Sequence, residues 1–291
     1  MNYGEIVKEM RKARGYSQEE LVFGIASRTT LSAFENNSTR PTFDSIMEYL
    51  DRLNVNLEEF VYLSSKDKIM VKKKIANDVI EAVMTKNNTA ANNILIELES
   101  FYNQTKDIFF NLNKAQLIIL LNEFNLRNDD DVDQYKQLIL DHLNKVESWG
   151  KMEVSLFSNV LFIIPSDYIL NVFKNSSKKF ELMKSLYAME NIEMKLKTNS
   201  ITVFLKRKEY VHASKFLSEI GNYSKNNLYH RSIHKYQANL LDYVKNNDEK
   251  ILIENEKLFS FLTMIKADGL RFELEQFQNT VISRRSSEHY K

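Results

Sequence analysis

The sequence predicts an all-α protein, and three features point to it. Two prolines and six glycines in 291 residues are too few for a chain of strands and tight turns, which need both, whereas long helices need neither. Apolar residues recur at helical spacing almost throughout. Short polar breaks separate these stripes: KNNT at 86, NDDDVD at 128, NSSKK at 175, NYSKNN at 222 and KNND at 245. Stripes and breaks in this rhythm describe a stack of antiparallel helical hairpins. At this length the chain is expected to form two domains, or one domain and a repeat array. The boundary is placed at 65, with a compact helical domain over 1–65 and a helical-hairpin array over 66–291.

The elements of the first domain follow in order. Tyr3, Ile6, Val7 and Met10 line one side of a first helix, Lys8, Arg11 and Lys12 another, and Gly15 stops it. Ser17 with Glu20 three residues on forms a capping box for a second helix, which gives Leu21, Val22 and Ile25 to the core. A turn around Ala26 and Ser27 leads to a third helix that buries Leu31 and Phe34 and ends at Asn37, a residue that tolerates left-handed backbone. Thr42 caps a fourth helix carrying Ile46, Met47, Leu50 and Leu53. Asn56 with Glu59 starts a fifth, anchored by Leu57 and Phe60.

Beyond the boundary, Tyr135, Leu138, Ile139, His142, Leu143 and Val146 form one stripe, and Trp149, Met152, Leu156, Phe157, Val160, Leu161 and Ile164 the next. Another holds Tyr229, Ile233, Tyr236, Leu240 and Val244. In KEYVHASKFLSEI (208–220), Tyr210, Ala213 and Leu217 resemble the second helix of a tetratricopeptide hairpin, where a small residue lets two helices approach. The array is therefore expected to be a degenerate tetratricopeptide-like solenoid.

Composition narrows the function. Net charge is +1, so any nucleic-acid contact must rest on a local cluster. The absence of cysteine fits a reducing cytoplasm and leaves no thiolate zinc site. No signal peptide or membrane span is expected: LFIIP at 161–165 is the most apolar run and is far too short. The chain lacks a glycine-rich phosphate loop, a Gly-x-Ser-x-Gly elbow and a His-Glu-x-x-His pattern. His230 and His234 share a helix face without a third ligand. Asp129, Asp130, Asp131 and Asp133 mimic the start of a calcium loop that lacks its glycine and its glutamate. No catalytic residue, metal or cofactor is expected, and no enzyme.

Five short helices in this layout are the helix-turn-helix plan, in which the third helix enters the major groove of double-stranded DNA. Ser27, Arg28, Thr29, Thr30, Ser32 and Asn36 are its exposed residues, and Arg28 is placed to grip a guanine with two hydrogen bonds. Arg11, Arg14 and Gln18 are expected to face phosphates. Basic residues cluster before residue 41 and acidic ones (Asp44, Glu48, Asp51, Glu58, Glu59) follow, giving the domain a basic and an acidic end.

The stretch SQEELVFGI…TTLSAFENNSTRPTFDSIMEYLDRLNVNLEEF resembles the Xre-type helix-turn-helix, and its ending, LDRLNVNLEEF, is particularly similar to the Rgg family of Gram-positive regulators. WGKMEVSLFSNVLFIIP (149–165) fits that family too. The chain departs from the Xre pattern at Ala33, Asn36 and Asn37, where basic residues and a glycine are usual, which removes positive charge from the DNA face. The resemblance implies a promoter-binding transcription factor in the cytoplasm that acts as a homodimer. It also implies a C-terminal helical repeat domain that senses a short signalling peptide. Asparagine side chains can both donate to and accept from a peptide backbone, and aromatics supply apolar pockets. Asn122, Asn159, Tyr187, Asn191 and Tyr229 are the candidates for that contact. Glu153 and His142 interrupt apolar stripes. Such a carboxylate must find a partner, and Glu153 is either a satisfied structural group or a polar contact on the floor of the groove. Two other functions fit the sequence: a constitutive phage-like repressor with a helical dimerisation domain, and a helical protein-interaction scaffold.

Overall fold

The computed structural model describes residues 3–64, 70–128, 131–175, 180, 190–221 and 227–286. All regular structure among these is helical. The chain divides into two compact units, Met1–Phe109 and Phe110–Lys291.

The first unit opens with the five expected helices: α1 (Tyr3–Ala13), α2 (Gln18–Val22), α3 (Arg28–Glu35), α4 (Phe43–Arg52) and α5 (Leu57–Ser64). Their ends are fixed by the predicted residues. Gly15 and Asn37 take left-handed φ of 76° and 60° after α1 and α3. The Thr42 hydroxyl accepts from Ser45 N at 3.2 Å, and Asn56 Oδ1 accepts from Glu59 N at 2.7 Å. Val7, Met10, Leu21, Val22, Leu31, Phe34, Leu50, Leu53 and Phe60 close one core, with Tyr49 and Val55 added. Full burial of such side chains is worth about 1.5–3 kcal/mol each. Met47 and Leu57, expected inside, remain more than a third exposed. At 100° per residue the buried face of α4 is set by Tyr49, Leu50 and Leu53, which leaves Met47 at its margin. Two longer helices follow as a hairpin, α6 (Met70–Met84) and α7 (Asn88–Thr105), joined through left-handed Lys86 and capped by Asn87.

The second unit continues with α8 (Ile108–Glu123), α9 (Val132–Lys145), α10 (Lys151–Asn159), a 3-10 turn (Leu161–Ile163) and α11 (Ser166–Lys174). After it come α12 (Glu190–Lys206), α13 (Tyr210–Ile220), α14 (Leu228–Asn246), α15 (Lys250–Met264) and α16 (Asp268–Ser286). Neighbours pack as successive hairpins, α12 on α13, α14 on α15 and α15 on α16, while α12 also touches α10, α14 and α16. This is the helical-repeat plan. Trp149 sits at the centre, fully buried, its indole N–H donating to Leu143 O at 3.2 Å and its ring 5.1 Å from Phe157 and 5.8 Å from Phe180. Ala213 is fully buried on α13, as its tetratricopeptide-like spacing predicts.

Asparagine and lysine replace glycine at the helix ends. Asn54, Lys86, Lys106, Asn125, Lys208, Asn247 and Lys266 all adopt positive φ between 52° and 64°. Asparagine tolerates this region and lysine does so at some cost, so a chain with few glycines still turns its hairpins.

Candidate nucleic-acid interface and ligand groove

Helices α2 and α3 are built from the caps outward. Ser17 Oγ accepts from Glu20 N at 3.1 Å and Glu20 Oε2 accepts from Ser17 N at 2.7 Å. These bonds from Ser17 hold the Glu20 carboxyl below its ordinary range. Ser27 caps α3 the same way, accepting from Thr30 N at 3.1 Å, with its hydroxyl 2.8 Å from that of Thr30. Leu31 and Phe34 face inward, so Ser27, Arg28, Thr29 and Thr30 emerge together at the exposed N-terminal end of α3, where the helix dipole is positive. Arg28 and Arg40 make no hydrogen bond or ion pair through their side chains among the described residues. Ser32 is half-buried, and Asn36 closes the other end of α3, accepting from Lys8 Nζ at 3.3 Å.

Arg11 is not an exposed phosphate ligand. It is buried, with Nε and Nη2 donating to the two Glu35 oxygens at 2.6 and 2.9 Å and Nη1 donating to Tyr16 O at 2.7 Å. Gln18 Nε2 donates to the same Glu35 at 2.8 Å. Burial alone would raise the Glu35 carboxyl, but the bonds from Arg11 and Gln18 outweigh it and hold the group low. The cluster ties α1 and the start of α2 to the end of α3. Arg14 stays exposed, 3.2 Å from Glu59.

Three residues of the head escape a reading of the sequence. Glu35 looks like an exposed helix acid until Arg11 is placed beneath it. Gly4 lies where any β-carbon would overlap the Phe34 carbonyl, so α1 and α3 touch backbone to backbone. Arg52 Nη1 donates to Leu21 O at 3.0 Å and Phe23 O at 2.5 Å, closing the C-terminal carbonyls of α2 from α4.

The second unit carries a seam of neutral polar groups that passes from helix to helix. Asn159 on α10 donates to Gln116 on α8 at 3.4 Å, and Asn199 on α12 donates to Ser158 on α10 at 3.0 Å. Gln237 on α14 donates to Thr198 O at 2.9 Å and to the Thr202 hydroxyl at 3.0 Å, both on α12. Asn199, Thr202 and Lys206 share one partly open face of α12, and Lys206 reaches Glu123 of α8 at 3.1 Å. Their spacing of three and four, in TNSITVFLK, is the polar stripe that could have signalled this face. On the opposite side of α12, burial would lower the Lys197 ammonium, but Glu219 and Glu193, at 2.9 and 3.0 Å, raise it above its ordinary value.

The predicted groove residues fall in different places. Asn159 belongs to the seam, and Asn122 is half-buried with its amide donating to Ile118 O, one turn back, at 2.9 Å. Tyr229 stands half-exposed at the start of α14, its hydroxyl pushed up by burial and by Glu273. Tyr187 and the side chain of Asn191 lie outside the described residues. Glu153 is not on an open floor. It is buried, accepting from Gly150 N at 2.9 Å and lying 3.1 Å from His142 Nε2, so the two polar interruptions of the stripes satisfy each other.

Among the described residues no cluster of three or more acidic or histidine side chains could hold a metal ion, and no helix is long and apolar enough to cross a membrane. His234 Nε2 lies 3.2 Å from Leu217 O, while burial pushes the His230 imidazole below its ordinary value. Asp129 and Asp130, of the acidic run, lie outside the described residues.

A family model for the C-terminal domain of the HTH-type transcriptional regulator Rgg matches residues 97–276, and a helix-turn-helix model matches residues 7–60. The fold is similar to that of a transcriptional regulator from Listeria monocytogenes EGD-e (TM-score 0.80, 19% identity, 98% of each chain covered). It is similar to the SHP pheromone receptor Rgg2 of Streptococcus dysgalactiae (TM-score 0.71, 15% identity, 95% of this chain and 98% of that one). It is also similar to PrgX in its complex with cCF10 (TM-score 0.71, 14% identity, 97% of this chain and 92% of that one). A helix-turn-helix head, a helical-repeat second unit and a family match over more than half the sequence lead to one conclusion: the chain belongs to the Rgg family of helix-turn-helix transcriptional regulators.

Proposed function

We propose that the protein is a cytoplasmic, homodimeric transcription factor whose binding to a promoter operator is set by a short signalling peptide held in its helical repeats. The observation that carries the proposal is the pairing of a capped, exposed α3 N-terminus with a separate unit whose inner helices offer neutral amides. In the head, residues 1–65 form the DNA-binding domain. Ser27, Arg28, Thr29 and Thr30 read base edges, with Asn36 at the far end of α3, while Arg14 and the remaining N–H of Gln18 position the backbone. Residues 66–291 sense the peptide and dimerise. The amides of Asn159 and Asn199 exchange their partners, Gln116 and Ser158, for the backbone of an extended peptide, with Asn122 and Tyr229 flanking it.

The mechanism is a population shift. Peptide favours one arrangement of the repeats, and that preference changes how two heads meet half-sites about one helical turn, ~34 Å, or a multiple apart. A ligand that binds one arrangement about 100-fold better supplies roughly 2.7 kcal/mol for this. The fold shared with a pheromone receptor and with PrgX in its cCF10 complex supports the peptide assignment. The test is gel-shift titration on the gene's own upstream region with and without the short-peptide fraction of the culture medium. Specific binding that changes with peptide is expected. Specific binding indifferent to peptide would leave a constitutive repressor. No specific binding at all would favour a scaffold.

A further inference from the structure

One hollow in the second unit shares no residue with the polar seam. It has a volume of about 740 Å³ and lies over the first two turns of α14, lined by Leu228, Arg231, His234 and Lys235 of that helix together with Gly221 and Leu258. It is a hollow open to solvent rather than an enclosed cavity, and its lining mixes aliphatic and polar side chains.

The charges are what need explaining. Arg231 and Lys235 stand one helical turn apart with the same sign, an arrangement that destabilises a helix. The first turn of the helix holds no acid to offset them. Both are exposed, and neither side chain forms a salt bridge or hydrogen bond among the described residues. Glu254 on α15 feels Lys235, but less than it feels Lys257, to which it is bonded at 2.6 Å. His234 adds a third group. Leu217 O can only accept, so His234 Nε2 donates in that 3.2 Å contact.

We propose that this hollow binds a small organic anion, with a phosphate or carboxylate head held by Arg231 and Lys235 and an apolar tail against Leu228 and Leu258. A simple solvated helix face would be expected to alternate signs and to lack the walls. Here two cations that make no salt bridge or hydrogen bond among the described residues line one hollow with two leucines. The site is independent of the peptide assignment, so it stands or falls separately.

The test is isothermal titration of the full chain with hexyl phosphate, octanoate and inorganic phosphate. Saturable binding of at least one tailed anion is expected, about tenfold or more tighter than inorganic phosphate, and the tighter of the two identifies the head group. The Arg231→Ala/Lys235→Ala variant should lose about tenfold or more in that affinity while melting like the parent. The pair Arg231→Gln and Lys235→Gln repeats this with good helix formers in place. Leu258→Ala should weaken the tailed anion and leave inorganic phosphate unchanged. No saturable binding up to about 10 mM, or equal binding by the charge-free variants, would overturn the proposal.

Discussion

The two units differ in the polar groups they bury deepest, although both bury some charge: the second unit holds Lys197 against Glu193 and Glu219. In the head a full ion pair is buried: Glu35, 2 % exposed, takes two bonds from Arg11 and one from Gln18. In the second unit the deepest polar groups are neutral. Asn239 donates to Asn255 at 2.8 Å and Asn255 to Gln278 at 2.7 Å, all three buried, so α14, α15 and α16 are joined by an amide ladder. A buried ion pair has a single good arrangement, because either partner left alone is a desolvated charge. Amides lose less when they exchange partners, since each carries both donors and an acceptor. The contrast matches the proposed division of labour, with α3 locked for reading and the repeats joined by bonds that can be remade.

The largest effect should come from Glu35→Ala, which strands the Arg11 charge in the core. Urea denaturation is expected to show a loss of about 3–5 kcal/mol, with operator binding lost alongside. The pH dependence has the same origin. The Glu35 carboxyl is held below its ordinary 4.5, so its contribution is complete above that pH and disappears as pH falls through the lower folded value. Acid melts of Glu35→Gln should therefore be flatter than those of the parent below pH 4.5. Gly4→Ala comes next at about 3 kcal/mol, because the new methyl meets backbone that cannot turn away.

On the other side of the comparison, Asn255→Ala should cost about 2 kcal/mol, since it leaves the Asn239 amide and the Gln278 carbonyl buried without their partners. A loss as large as that of Glu35→Ala would erase the distinction between the two interiors. Arg28→Ala should leave stability within about 0.5 kcal/mol. Fluorescence anisotropy on operator variants should show binding weakened by about 1–3 kcal/mol and preference relaxed at one base. Arg14→Ala should weaken all sequences alike and flatten the salt slope. Smallest of all, Lys266→Gly should raise stability by about 0.5 kcal/mol, because glycine accepts the left-handed φ of 58° that lysine resists.

The helices of the head are legible in the sequence because each is announced locally. Ser17 with Glu20, Ser27, Thr42 and Asn56 are caps that act within three residues, and Leu31 with Phe34 is a helical period. What was not legible depends on residues far apart in the chain. Arg11 reads as a surface cation because its stripe holds Lys8 and Lys12, and nothing nearby shows that Glu35, 24 positions on, will cover it. His142 and Glu153 read as two problems and are one solution, 11 residues apart across the α9–α10 corner. The polar seam is half visible: spacing singles out Asn159, but Asn199, Gln116 and Gln237 acquire meaning only when α8, α10, α12 and α14 lie side by side. Periodicity gives faces, whereas partners come from packing.

The proposed function requires one coupling, between peptide in the repeats and operator on the heads, and such a coupling is reciprocal. The measurement is the affinity of the full chain for an active peptide, purified from the culture-medium fraction and followed by calorimetry, alone and with saturating operator DNA. Operator is expected to change the peptide Kd by the same factor by which peptide changes the operator Kd. Identical peptide affinities in the two titrations would mean that the groove and the reading helix do not communicate, and would contradict the proposed function.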